Sequence, residues 1–239
     1  MPKFNTEWKV LPHGRVKTVD DQILTVEGEI PMPLGKFPRR MTVVGLSRNR
    51  SAIFSAMALN EHAMRRIEEV GKPSFLIVPN GHHRLDAHAW KQRYPNLKVV
   101  CPPGAKKKVS EAVPVDSTED ILNDKNVDLI IIQGTGEGEA ALAVRRKSGT
   151  TLIVNDTIAN VRHPRGLGGK IIARVFGFGV KRPQVPRVVK RVLVVNKAEL
   201  AAQLREWSAI RALRRIIPSH GEIVERPKPA LERMADELA

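Results

Sequence analysis

The stretch PSFLIVPNGHHRLDAH, residues 73–88, organises the reading of this chain. Its first half, Pro73 to Asn80, is a short apolar run closed by Pro-Asn. Its length and composition predict a buried strand. Its second half sets His82, His83, Asp86 and His88 directly after that strand. In α/β proteins, sites gather beyond the carboxyl ends of strands. Imidazole and carboxylate are the usual ligands of zinc, iron and manganese. The four residues are therefore candidate metal ligands. On a helix, Asp86 shares a face with His82 (i, i+4) or His83 (i, i+3), and His88 points elsewhere. All four converge only if the segment turns as a loop before a helix begins. The plainer alternative is a set of surface histidines on a polar loop.

Outward from this stretch, strands and helices alternate. Gln22–Ile30 shows period-two patterning and predicts a strand. Residues 31–40 hold three prolines and a glycine and predict a loop. Met41–Ser47 is a short apolar strand, and Ala52–Leu59 reads as a strand or short helix. Asn60 is a plausible cap for a helix over 61–70, which Gly71 stops. Residues 84–94 look helical up to Pro95, and 97–104 is a strand ending in Pro-Pro-Gly. A short basic helix follows over 105–113. Val127–Gly134 is the most apolar strand, and 139–156 reads as two strands around a Lys-Ser-Gly turn. Residues 162–192 are read as an irregular basic loop, 198–215 and 229–238 as helices, and 215–224 as a short strand with a turn. This predicts an α/β protein with a mixed sheet, in one domain spanning residues 1–239 and without internal repeats.

Composition narrows the function. The 239 residues carry 40 Lys or Arg against 25 Asp or Glu, a formal charge of +15. Hydrophobic residues make up 42%, enough for a core, which excludes a disordered polybasic chain. Aromatics are only 4%, which argues against a stacking platform for single-stranded nucleic acid. The lone cysteine, Cys101, excludes a disulfide framework and a cysteine-based zinc knuckle, and it reads as buried. No run approaches the ~18 apolar residues of a membrane span, and the first ten residues lack the apolar core of a signal peptide. The expectation is a cytoplasmic protein with no membrane partner.

Two further strands end in candidate ligands. Thr151–Thr157 delivers Asp156, and Ile216–Ile223 delivers His220 before a glycine that permits a sharp turn. Taken singly, Asp156 could cap a turn and His220 could be a satisfied loop histidine. Taken together, a histidine-rich loop, then an aspartate, then a His-Gly, each after a strand, resembles the metallo-β-lactamase fold superfamily. More narrowly, the chain resembles an uncharacterised branch of it. That branch carries the pattern here formed by Pro79, Asn80, His82, His83, Trp90, Tyr94, Pro95, Pro102, Pro103 and Gly104. The resemblance runs from about residue 20 to residue 225.

It implies an αββα sandwich, two mixed β-sheets flanked by helices, with the site along one edge. In active members of the superfamily, one or two metal ions hold a hydroxide that serves as nucleophile. Asp156 would match the bridging carboxylate and His220 the late histidine. The superfamily's first motif is His-x-His-x-Asp-His. Here the aligned residues are Asn80, Gly81, His82, His83, Arg84 and Leu85, so only His82 falls on a ligand position. Asp86 and His88 offer similar chemistry, displaced along the chain. In the glycine-rich turn before the Asp156 strand, Glu137 occupies the position of the next expected histidine. Arg84 stands where an acid is expected and would oppose a metal or reach for an anion.

The reading is a metal-dependent hydrolase with a rearranged ligand set: His82, His83, Asp86, His88, Glu137, Asp156 and His220. Asp86 and Asp156 are its catalytic candidates. Its metal is a divalent ion, zinc before iron or manganese, and its substrate an unidentified small or anionic molecule. The alternatives are a metal-free protein retaining the fold and a basic nucleic-acid-binding or nuclease-like member. The basic clusters at Lys106–Lys108, Arg211–Arg215 and 162–192 read as solvated faces, or as attraction for an acidic substrate. Within 162–192, Arg162, Arg165 and Lys170 flank Gly166, Gly168 and Gly169, whose N–H groups could hold an anion.

Overall fold

A computed structural model of the chain describes residues 4–32, 35–164 and 166–239. Strands β1 (Lys17–Asp20), β2 (Ile23–Met32), β3 (Gly35–Leu46), β4 (Arg50–Phe54), β5 (Lys72–Ile77) and β6 (Lys98–Val100) form a first sheet in chain order. The first four pair antiparallel, whereas β4–β5 and β5–β6 are parallel. Strands β7 (Val127–Ile131), β8 (Ala140–Arg146), β9 (Gly149–Val154) and β10 (Leu213–Pro218) form a second, in the order β10-β9-β8-β7. In it only β10–β9 is parallel. Both sheets are mixed.

Strand alternation sorts the apolar residues into three layers. Phe75 and Ile77 of β5 face Leu142, Val144, Ile153 and Ile217 of the second sheet, forming the filling between the sheets. Leu76 and Val78 point the other way, into a layer with Met64 and Ile67 of helix α1 (Glu61–Glu68), Trp90 of α2 (Ala87–Arg93) and Val109 of α3 (Lys106–Val109). On the far side, Leu152, Val154 and Ile216 pack under Leu204 and Trp207 of α6 (Lys197–Ala209) and Leu231 and Met234 of α7 (Pro227–Asp236). This is the expected helix–sheet–sheet–helix sandwich. Asn60 caps α1 as the sequence predicts, accepting from the Ala63 N–H at 2.9 Å.

Three segments differ from the sequence reading. Of residues 31–40, those described (31–32 and 35–40) continue a hairpin, with Pro31 opposite Lys36 and Pro38 opposite Glu29. Pairing of β3 with β4 reaches only from Leu46 back to Thr42, so the earlier part of β3 is bonded on one side, where a strand tolerates proline. The 162–192 segment holds two helices, α4 (Gly166–Val175) and α5 (Arg187–Val192). Its small residues are a packing face: Gly169 and Ala173 are buried, and a Cβ on Gly169 would lie 3.2 Å from the Lys36 carbonyl oxygen. Arg165 lies outside the described residues. Helix α6 ends at Ala209, and β10 begins at Leu213, before the predicted boundary.

Cys101 is fully buried in the layer under α2, and burial pushes its thiol up to about 11. A thiol reagent at pH 8 should therefore leave the native protein unmodified and react only in denaturant. Rapid stoichiometric labelling of native protein would contradict this packing.

Candidate metal centre

Parallel pairing of β9 and β10 builds half of the site. Val154 is paired with Pro218 at the strand ends, and the chain places Asp156 and His220 two residues beyond each. Gly221 then takes φ +96, and a Cβ there would lie 2.1 Å from the Asn160 carbonyl oxygen. Only glycine fits that turn. The other half comes from the loop after β5, tied to the second sheet where the Ala140 N–H donates to the Pro79 carbonyl at 2.9 Å. In this loop Asn80 Oδ1 accepts from the N–H groups of His82 (2.8 Å) and His83 (3.2 Å).

The structure brings His83, Asp156 and His220 together. Asp156 Oδ1 lies 3.3 Å from His83 Nε2 and 3.0 Å from His220 Nε2, and the two nitrogens are 3.2 Å apart. Each group is held from behind. His220 Nδ1 donates to the Pro38 carbonyl at 2.7 Å, which leaves the Nε2 of a neutral ring as a lone pair facing the cluster. His83 Nδ1 meets Ser55 Oγ at 2.8 Å. Asp156 Oδ2 accepts from the Asn80 amide at 2.7 Å, leaving Oδ1 for the centre. Phe37 and Phe178 wall the His220 ring, with centroids 5.0 and 5.9 Å away.

The electrostatics suit a cation. Burial pushes the Asp156 carboxyl up, but the histidines beside it outweigh this and hold it well below the usual carboxylate range. Burial pushes His83 down, against the pull of Asp156, and so favours the unprotonated ring that a metal requires. Glu139 is fully buried, its Oε1 accepting from the Thr157 N–H at 2.7 Å while Oε2 has no hydrogen bond among the described residues. Burial and then the charge of Asp156 push it up to about 8, so it holds its proton at neutral pH. Its folded pKa exceeds the unfolded value of about 4.3, so the folded state binds the extra proton between the two. Glu139 should therefore lower stability as pH rises from about 4 to about 8. Urea midpoints of chelator-treated Glu139→Gln protein should lack that decline. An identical pH dependence in both proteins would refute it.

The other residues proposed from sequence lie elsewhere. His82 is exposed, its N–H donates to Asn80 Oδ1, and its ring feels the charge of Asp156 without joining the ligand cluster. Asp86 is buried against Arg39, with Oδ2 2.8 Å from Nη1, and accepts from the Asn5 amide at 2.7 Å. His88 Nδ1 donates to the Ala112 carbonyl at 3.1 Å. Glu137 is exposed in the turn, with φ +55. Arg84 does not face the centre with a free charge, since it is buried with Glu111 (2.7 Å) and the Lys108 carbonyl. Sequence reasoning missed Ser55, the orienting role of Asn80 and the burial of Glu139. The one signal for Ser55 is its place at the end of a strand parallel to β5.

Solved structures with the same architecture include metallo-β-lactamases. The DIM-1 metallo-β-lactamase superposes with a TM-score of 0.65 at 14% identity, covering 96% of this chain and 100% of its own. A metallo-β-lactamase from Hirschia baltica gives 0.63 at 10% identity, covering 96% and 98%. FIM-1 from Pseudomonas aeruginosa, in its mono-zinc form, gives 0.60 at 10%, covering 96% and 97%. No family model matches the chain, and no curated protein sequence matches it. The chain has the metallo-β-lactamase fold, with a His/Asp group that could hold a metal ion. Among the described residues, no helix is long and apolar enough to cross a membrane.

Proposed function

We propose that the protein is a metal-dependent hydrolase whose reduced ligand set, His83, Asp156 and His220, holds one divalent ion, zinc before iron or manganese. The observation that carries this is the convergence of three ligand atoms within 3.3 Å of one another. Ligands about 2.0–2.1 Å from a tetrahedral zinc lie about 3.3–3.4 Å apart, so the donor set has nearly the spacing a metal needs. A bound ion would supply Lewis acidity, lowering the pKa of a water toward neutrality and polarising the bond under attack. Asn80, Ser55 and the Pro38 carbonyl fix which atom of each ligand faces inward. Glu139 keeps a proton on a buried carboxyl beside Asp156 at neutral pH. The net charge of +15 favours a small anionic substrate.

The second reading is a fold retained without metal. It is favoured by Asn80 standing where a first ligand is expected and already bonded to Asp156. Metal analysis of protein purified without chelator separates the two. About one equivalent of metal supports the hydrolase, and metal-free protein that takes up none supports the second reading.

A further inference from the structure

Between Thr157 and Ala198 the sequence has no Asp or Glu and ten Lys or Arg, so this stretch carries +10 of the total +15. The same stretch holds five of the six exposed large hydrophobic residues among those described: Ile171, Val175, Phe176, Val192 and Val195, 41–73% exposed. The two facts coincide in one stretch of the chain. On α4, Gly169 and Ala173 are buried toward the body of the protein. Ile171 and Val175, one turn apart, point to the opposite side, with Lys170 and Arg174 beside them. The start of α5 abuts the end of α4, because the Val188 N–H donates to the Phe176 carbonyl at 3.4 Å. Arg187 and Arg191 of α5 are exposed there, and Val192 and Val195 follow. Among the described residues no acid pairs with Lys170, Arg174, Arg187 or Arg191.

We propose that the α4–α5 face docks on an anionic lipid surface, with Ile171, Val175, Val192 and Val195 entering the acyl boundary and the flanking cations meeting the headgroups. An outward apolar face rimmed by uncompensated Lys and Arg is the composition of a segment lying in a membrane interface. A second copy is a poor occupant, because a two-fold contact would press one acid-free basic face onto another. A nucleic-acid backbone would use the cations but leave the outward aliphatic side chains in water. The sequence expectation of no membrane partner rested on the lack of a spanning segment, which a surface dock does not need. The inference is independent of the metal reading, although Phe178, just beyond α4, packs on His220 and sets the docked face beside the candidate centre.

The test is co-sedimentation of the full chain with vesicles at low salt. Binding is expected to vesicles of equal parts phosphatidylglycerol and phosphatidylcholine, and not to phosphatidylcholine alone. Ile171→Ser with Val175→Ser should weaken binding about tenfold or more, as should Val192→Ser with Val195→Ser, a second pair at independent positions. All four side chains are exposed, so thermal unfolding should stay unchanged. His220→Ala should keep vesicle binding whatever it does to metal content. No binding to either vesicle would overturn the proposal, and so would serine pairs that bind like the wild type. Binding to duplex DNA in preference to vesicles, indifferent to the serines, would assign the face to nucleic acid instead.

Discussion

Zinc at a hundredfold excess over its Kd should raise the unfolding temperature of the chelator-treated protein by about 5–10 °C, and His220→Ala should abolish that rise. The size follows from mass action. Ligand at that excess stabilises the folded state by about 2.7 kcal/mol, and a chain of this length gains about 2–4 °C per kcal/mol. His220 is the sharper of the possible substitutions, because its Nδ1 is committed to Pro38 and only Nε2 faces the centre. The alanine variant starts from lower stability, since a ring packed against Phe37 and Phe178 is lost. The comparison is therefore the shift on adding zinc, not the absolute temperature. His82→Ala is the control: the sequence motif puts His82 on a ligand position, whereas the structure exposes it. It should keep the full shift. If His82→Ala loses the shift and His220→Ala keeps it, the centre is not where the geometry places it.

The parts of this site legible in the sequence are those set by strand ends. The apolar runs of β5, β9 and β10 announce themselves, and whatever follows each run is delivered to one edge of the sandwich. The sequence puts Asp156 and His220 at two such ends, and the structure brings them together with His83. The histidine-rich loop was legible only as a location. Asn80 Oδ1 gathers the N–H groups of both His82 and His83, and the resulting turn sends one ring inward and the other to solvent. No periodicity encodes that choice. Glu137 and Glu139 were equally ambiguous, because the intervening turn takes positive φ at Gly134, Gly136 and Glu137 and obeys neither helix nor strand direction. The 162–192 segment misled because Gly169, in a run that suggests a loop, serves with Ala173 as the inner face of a helix. The place of Asp86 was hidden for a different reason: its partner, Arg39, is remote in sequence and comes from a hairpin that the prolines disguise.

Asp86→Ala should cost about 3–5 kcal/mol of stability, because the buried cation it leaves has no substitute partner. The Asp86 side chain is fully buried, and that of Arg39 is 6% exposed. The Asp86 Oδ2 and Arg39 Nη1 atoms approach to 2.8 Å without an aligned hydrogen bond, and Arg39 Nε has no hydrogen bond among the described residues. Attraction between the two charges thus holds Arg39 in place, with the Asn5 amide completing the carboxylate. Set against a typical total of about 5–15 kcal/mol, the loss is large enough to leave the variant partly unfolded near body temperature. Arg39→Met combined with Asp86→Leu should recover most of it, since replacing both members of a buried pair with apolar groups removes the desolvation cost together with the attraction. Urea unfolding at neutral pH reads both effects. The same variants separate a structural from a catalytic aspartate. A metal ligand at position 86 would lose zinc with modest change in stability. The geometry requires the reverse, a destabilised protein in which the folded fraction still gains the full zinc shift. A change of under about 1 kcal/mol for Asp86→Ala would mean that water reaches Arg39, and that the pair does not hold the hairpin to α2.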